Sequence, residues 1–337
     1  MTVPADDASR EATHLPALRR PLPEDSTPAR RLAARAGRHV TWLRRDGLGR
    51  MVEEDGLDPR DRARSAWESW RWRRTHPRPP GAARVAFIVG VQRSGTNMVL
   101  RGIEQDPSVE VRNENDKTTF DRFQLRDSRA VREVVSSSRH DLVLFKPLCD
   151  SHRTADLLAE FGTEQRPARA VWIYRGVDDR VRSAVRKFGD VNRQVLTEIA
   201  ESGGGSRWQA QRLSPESLDL IRSVRPAQLS PESAAALFWL VRNRLYFEQG
   251  LHGRSDVHLV GYEQTTRDPE GEVGALAQFL GLAYSPRLVA HIDRRSDVRR
   301  PPLELEARIR AACTALEAQL AAASESSRRR VTGEAST

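Results

Sequence analysis

Short runs of apolar or alternating character recur along the chain between charged and turn-forming stretches: Val85 to Val89, Val109 to Asn113, Leu142 to Lys146, Ala170 to Arg175 and Val257 to Tyr262. Their length and their β-branched and aromatic content fit buried strands. Between them the apolar positions fall at helical spacing, as at Met98, Val99, Leu100 and Ile103 after Thr96, and the same period predicts helices over 118–137, 153–161, 178–188 and 231–248. A further helix ends at Phe279-Leu280-Gly281-Leu282, and Leu305, Ile309, Ala312, Leu316 and Leu320 form the apolar stripe of a last one. Strands that alternate with helices predict an α/β fold of three layers, α/β/α, around a central, mainly parallel sheet. Ligands of such sheets sit beyond the carboxyl ends of the strands.

The flanks read differently. Residues 1–30 are rich in Pro, Ser, Thr, Asp and Arg without a period, which predicts a disordered tail. Residues 31–80 predict a helical N-terminal extension, until Pro77, Pro79 and Pro80 break it, in which Trp67, Trp70 and Trp72 are expected to pack onto the domain, the alternative being that they line an acceptor pocket. The domain proper is expected over 84–322, with 190–230 as a loop-rich insertion or lid because of Gly203-Gly204-Gly205 and its Ser-Pro steps. Residues 323–337 read as a frayed, disordered tail.

Composition narrows the setting. Two cysteines, Cys149 and Cys313, are too few for a disulfide framework and suggest a reducing compartment. The N-terminal residues lack an apolar signal core, and no stretch approaches the ~18 apolar residues that span a bilayer, so the expected location is cytoplasmic. The formal charge of +9 comes almost wholly from arginine, since lysine occurs only at positions 117, 146 and 187. Arginine's planar fork suits phosphate and sulfate. Acidic residues are interspersed nearly throughout, and no zinc-finger spacing or RNA-binding aromatic signature accompanies the charge, so a solvated surface is favoured over a nucleic-acid partner. The histidines show no zinc-ligand spacing, and no metal is expected.

The first apolar run ends in Gly90-Val91-Gln92-Arg93-Ser94-Gly95-Thr96 and leads into a helix. A glycine-bearing turn between a strand and a helix N-terminus points several backbone N–H groups at one spot, beside the positive end of the helix dipole. Such a spot attracts phosphate. A nucleotide triphosphatase loop would continue G-K-[ST], but Thr96 and Asn97 stand there, and the only cation of the loop is Arg93. Lys146, at the end of the third run, would be costly to bury unless it faced an anion. Glu114 follows the second run on the functional edge of the sheet, where a carboxylate can accept a hydroxyl proton.

The loop resembles the 5′-phosphosulfate loop of sulfotransferases that use 3′-phosphoadenosine 5′-phosphosulfate (PAPS). Two further stretches carry the likeness. Arg175 and Ser183 repeat the family's Arg-x7-Ser element, with Val177 where Pro is common, and Tyr262-Glu263, Asp268-Pro269-Glu270 and Phe279-Leu280-Gly281 follow in the family's order, with Gln264-Thr265 in place of Asp-Leu. The resemblance implies a P-loop-type fold. It implies that Gln92, Arg93, Ser94, Gly95, Thr96 and Asn97 hold the 5′-phosphosulfate and that Arg175 and Ser183 hold the 3′-phosphate. It also makes Arg93 the clamp on the leaving phosphate, and Lys146, by the cost of burying it, is expected to point toward the sulfuryl group or an acidic acceptor.

Glu114 lies 21 residues after Arg93, the separation of the carbohydrate-type branch, so the resemblance implies that Glu114 is the general base. The histidine base of the phenol and steroid branch is missing after Lys146, and His152 is a second choice. Arg294 and Arg295 are candidate further contacts for the 3′-phosphate. The expected partner is a small-molecule or saccharide acceptor bearing a hydroxyl or amine, and the expected product is PAP. The rival readings are an ATP-dependent P-loop kinase, which the missing lysine at Thr96 opposes, and an arginine-rich nucleic-acid binder.

Overall fold

The computed structural model describes residues 59–293 and 300–333. Helix α1 (Pro59–Thr75) precedes strand β1 (Arg84–Gly90), which leads through the glycine-bearing loop into α2 (Thr96–Ile103). There follow β2 (Val109–Arg112), a small hairpin of β3 (Phe120–Asp121) and β4 (Gln124–Leu125), α3 (Ser128–Ser137) and β5 (Leu142–Phe145). A 3₁₀ turn (Leu148–Arg153) and α4 (Thr154–Phe161) connect to β6 (Arg169–Tyr174). Helices α5 (Val177–Phe188), α6 (Val191–Ser202), α7 (Pro215–Ser223) and α8 (Pro231–Glu248) precede β7 (Val257–Gly261). The chain closes with α9 (Tyr262–Arg267), α10 (Pro269–Leu280) and α11 (Ala307–Thr332).

The main sheet has the order β2-β5-β1-β6-β7, and its pairs are all parallel. β1 is central, and its pleat separates two cores. Val85, Phe87 and Val89 join a cluster with Trp172, Leu157, Val181, Trp239 and Leu316 on one face. Ala86 and Ile88 join Val99, Leu100, Ile103, Leu276 and Phe279 on the other. A strand buried on both faces cannot alternate polar and apolar residues, which is why β1 reads as an unbroken apolar run. The three-layer α/β/α expectation therefore holds.

Several local expectations do not. The stretch read as one helix over 118–137 begins instead as the β3–β4 hairpin. The Asp116 carboxylate accepts from the Thr118 amide at 2.9 Å and the buried Asp150 carboxylate from the Leu125 amide at 2.7 Å, and these bonds hold the backbone out of a helix. The segment 190–230 is mostly helical rather than loop-rich. Its apparent breakers are caps: Gly203 ends α6 in the left-handed region at φ 74°, and Ser214-Pro215 and Ser230-Pro231 are the N-cap and first residue of α7 and α8.

The expected frayed tail is also helix as far as Thr332. The hydroxyls of Ser324 and Ser327 bond Leu259 C=O and N–H, at 3.0 and 3.1 Å, along the outer edge of β7. They satisfy an edge that no strand among the described residues covers. Of the three tryptophans expected to pack, only Trp72 does, stacking on His140, while Trp67 and Trp70 are exposed. The tail expected over 1–30, the first part of the helical extension, and Arg294 and Arg295 lie outside the described residues.

Candidate active site

The parallel order sets the site. Because β5 and β6 flank β1, the chain leaving each of these strands emerges at the same carboxyl-end edge, so Lys146 and Arg175 lie on either side of the loop at 91–95. The turn is tight: Gly90 and Gly95 have φ of 127° and 91°, and Arg93 itself sits in the left-handed region at φ 72°. A non-glycine residue there is strained, a cost that proteins tolerate mostly where it aims a functional group. At Gly90 a Cβ would collide with the Ile173 carbonyl, so glycine is required for close strand approach.

Three side chains outside the loop hold it in shape. Ser151 Oγ accepts from the Gly90 amide at 2.9 Å and donates to the Gly90 carbonyl at 3.0 Å. Fully buried Arg180 donates to the Gln92 carbonyl at 3.2 Å and to Ala235 C=O on α8 at 2.9 Å. Burial, reinforced by Arg93, lowers the Arg180 guanidinium to about 9. The ring of Tyr262 fills the space beside Gly95, where any Cβ would strike it, and its opposite role is to seat Arg175, whose guanidinium carbon lies 4.2 Å from the ring centroid.

The predicted site residues converge in two groups. In the first, Lys146 Nζ donates to Asn97 Oδ1 at 2.7 Å and lies 3.6 Å from Glu114 Oε2. Burial raises the Glu114 carboxyl above its ordinary value, against the opposing pull of Lys146. In the second, Arg93 Nε donates to Ser183 Oγ at 2.9 Å, across ninety residues of sequence. Arg175 lies 3.8 Å from Asp179 and 3.9 Å from Glu263, yet its buried Nε makes no hydrogen bond. Ser94 Oγ is likewise buried without a partner. Thr96 is buried at the first position of α2.

The surroundings clarify the remaining candidates. Gln92 Nε2 reaches Cys149 Sγ at 3.6 Å, and burial holds that thiol well above its usual value. His152 is buried in the 3₁₀ turn, and burial, with Arg242 nearby, lowers it to about 4, so its imidazole is neutral. At the start of α5, Glu263 accepts from the Gly176 amide through both oxygens at 3.1 Å, and Glu317 of α11 accepts from Val177.

Arg180, Ser151 and Glu317 were missed in the sequence. Arg180 carried a readable signal: it falls at helical spacing with Val177, Val181 and Ala184, the buried face of α5. Ser151 and Glu317 act across 61 residues and through the last helix, and nothing local marks them.

A strand–loop–helix turn at the centre of a parallel sheet thus stands between a lysine–carboxylate pair, Lys146 and Glu114, and an arginine–serine pair, Arg93 and Ser183. The sulfotransferase domain family matches residues 84–299, and the chain belongs to that family. Similar solved structures include a sulfotransferase from Alicyclobacillus acidocaldarius, 20% identical with a TM-score of 0.39, covering 72% of this chain and 94% of that one. A sulfotransferase domain from the curacin biosynthetic pathway is 13% identical with a TM-score of 0.43, covering 71% and 98%. One from the Synechococcus PCC 7002 olefin synthase is 17% identical with a TM-score of 0.39, covering 72% and 98%. No curated protein matches the chain. Among the described residues, no helix is long and apolar enough to cross a membrane.

Proposed function

We propose that this sulfotransferase takes its sulfuryl group from PAPS and moves it to a hydroxyl or amine of a small-molecule or saccharide acceptor. The observation that carries the reading is the 2.9 Å bond between Arg93 and Ser183, which joins the loop cradle to the arginine–serine pair. Two cradles joined in this way suit a donor with phosphate at both its 5′ and 3′ positions, which ATP does not have. The unspent buried groups support the fit, since Ser94 Oγ and Arg175 Nε are polar atoms without a hydrogen-bond partner on the two sides of that bond.

PAPS would supply an activated sulfuryl group whose leaving group is already a phosphate. The amides and hydroxyls of residues 92–97 would hold the 5′ end, and Arg175 with Ser183 the 3′ end. Arg93 would neutralise charge that develops on the departing bridging oxygen. Glu114 would take the acceptor proton, since it is the carboxylate paired with the buried lysine beside the loop. Lys146 ties Glu114 to Asn97 at the start of α2, so the base is oriented toward the loop it serves.

The test is a thermal-shift comparison of PAP, AMP and ATP with magnesium. Stabilisation by PAP well above that by either of the others is expected. Preference for ATP with magnesium overturns the donor assignment.

A further inference from the structure

The first described helix is inside out. Along α1 the partly shielded positions are Ser65, Glu68, Ser69 and Trp72, spaced as one face of a helix, and this face meets the domain. Glu68 lies 3.5 Å from Arg287, and Trp72 stacks on His140 with ring centroids 6.2 Å apart. The other face carries Trp67 at 55% exposure and Trp70 at 48%. A helix built only to pack would turn its tryptophans inward and its serines and glutamate to water. Here Trp72 faces the domain but Trp67 and Trp70 face out, and packing does not explain those two.

The charges on that face have one sign. Arg64, Arg71, Arg73 and Arg74 are exposed together with the two tryptophans, and the only acid among residues 64–75, Glu68, is turned inward. Arg71 and Arg74 lie over the rings of Trp67 and Trp70 at 5.6 and 4.8 Å from the centroids. Each pair thus presents an indole body and a guanidinium side by side. Indole favours the boundary between headgroups and acyl chains, and guanidinium bonds phosphate diesters bidentately.

Further upstream, residues 28–50 hold seven arginines and one aspartate, whereas the stretch adjoining the helix, residues 51–61, holds five acids against one arginine, so the one-signed charge is that of residues 64–75.

We propose that α1 docks this enzyme peripherally on an anionic phospholipid surface, with Trp67 and Trp70 in the headgroup layer and Arg71 and Arg74 on lipid phosphates. The contact adds a surface to the protein without spanning the bilayer. It is independent of the donor and base assignments, because α1 contributes no residue to the candidate active site. Binding of this kind is reversible and falls with salt as the surface charge is screened.

The experiment is co-sedimentation of the full chain with vesicles of phosphatidylcholine alone and of equal phosphatidylcholine and phosphatidylglycerol. Binding to the anionic vesicles only is expected, reduced at least about tenfold in W67A/W70A and in R71Q/R74Q. PAP binding by both variants should match the parent, which separates loss of docking from misfolding. Absence of binding to the anionic vesicles overturns the proposal, as does binding that both variants retain. Tighter binding to single-stranded RNA than to vesicles at the same salt, lost in the same variants, also overturns it and makes the face a nucleic-acid surface.

Discussion

Arg93 Nε donates to Ser183 Oγ at 2.9 Å, which links the loop after β1 to the second turn of α5. Removing the groups on the α5 side should therefore erase discrimination for a 3′-phosphate without abolishing nucleotide binding. In R175A/S183A the ratio of PAP to AMP affinity, measured by calorimetry, should fall at least about tenfold, since hydrogen bonds to charged groups are worth about 1.5–3 kcal/mol each. An unchanged ratio would mean that the 3′-phosphate is held elsewhere.

Glu114→Gln keeps the shape beside Lys146 but cannot take a proton. Turnover should fall about 10² to 10⁴-fold while PAP affinity stays within about threefold of the parent. Full turnover in the variant removes Glu114 from the reaction.

The pH dependence follows from the direction of the Glu114 shift. Burial raises this carboxyl, and Lys146 acts against the rise. A base works when deprotonated, so kcat should increase with pH along a limb above the ordinary carboxylate range. Lys146→Met removes the opposing cation and should move that limb to still higher pH. A limb that moves down, or does not move, contradicts the pairing.

Arg180→Met should separate loop shape from global stability. The substitution gives up two hydrogen bonds to carbonyls, about 1 kcal/mol each, but also relieves a buried guanidinium that no carboxylate among the described residues neutralises. Unfolding free energy should drop by no more than about 2 kcal/mol. PAP affinity should fall by about tenfold or more, because the Gln92 carbonyl loses its tether. Urea titration and calorimetry read the two quantities separately.

Glu317 predicts a stability slope. Burial, with Glu263 and Asp178 nearby, pushes its carboxyl up to about 7, from an ordinary value of 4.5. The folded state then binds the proton more tightly than the unfolded chain, so this contribution is fully present below about 4.5, is lost as pH rises to about 7, and is flat above that. Glu263, also raised by burial, acts with the same sign. Melting temperatures between pH 4.5 and 8 should fall less steeply in Glu317→Gln, and an unaltered slope would contradict the assignment.

The sheet was legible because its strands are buried on both faces and so appear as dense apolar runs, and the loop because Gly90 and Gly95 carry backbone angles that few other residues tolerate. The helices of 190–230 were hidden because Ser-Pro and glycine mark helix ends as readily as loops, and only the packed structure tells which. The order β2-β5-β1-β6-β7 was not legible at all: each strand predicts its own burial but not its neighbour. Ser151 and Glu317 belong to the same class, since their bonds join segments that no local pattern relates.

Tyr262 lies against Gly95 and beneath Arg175, just past the last strand of the sheet. A ribosome has therefore delivered the whole loop, Glu114, Lys146 and Ser183 well before the wall between Gly95 and Arg175 exists. A nascent chain halted ahead of residue 262 carries the loop and Ser183 without the ring that stands between Gly95 and Arg175.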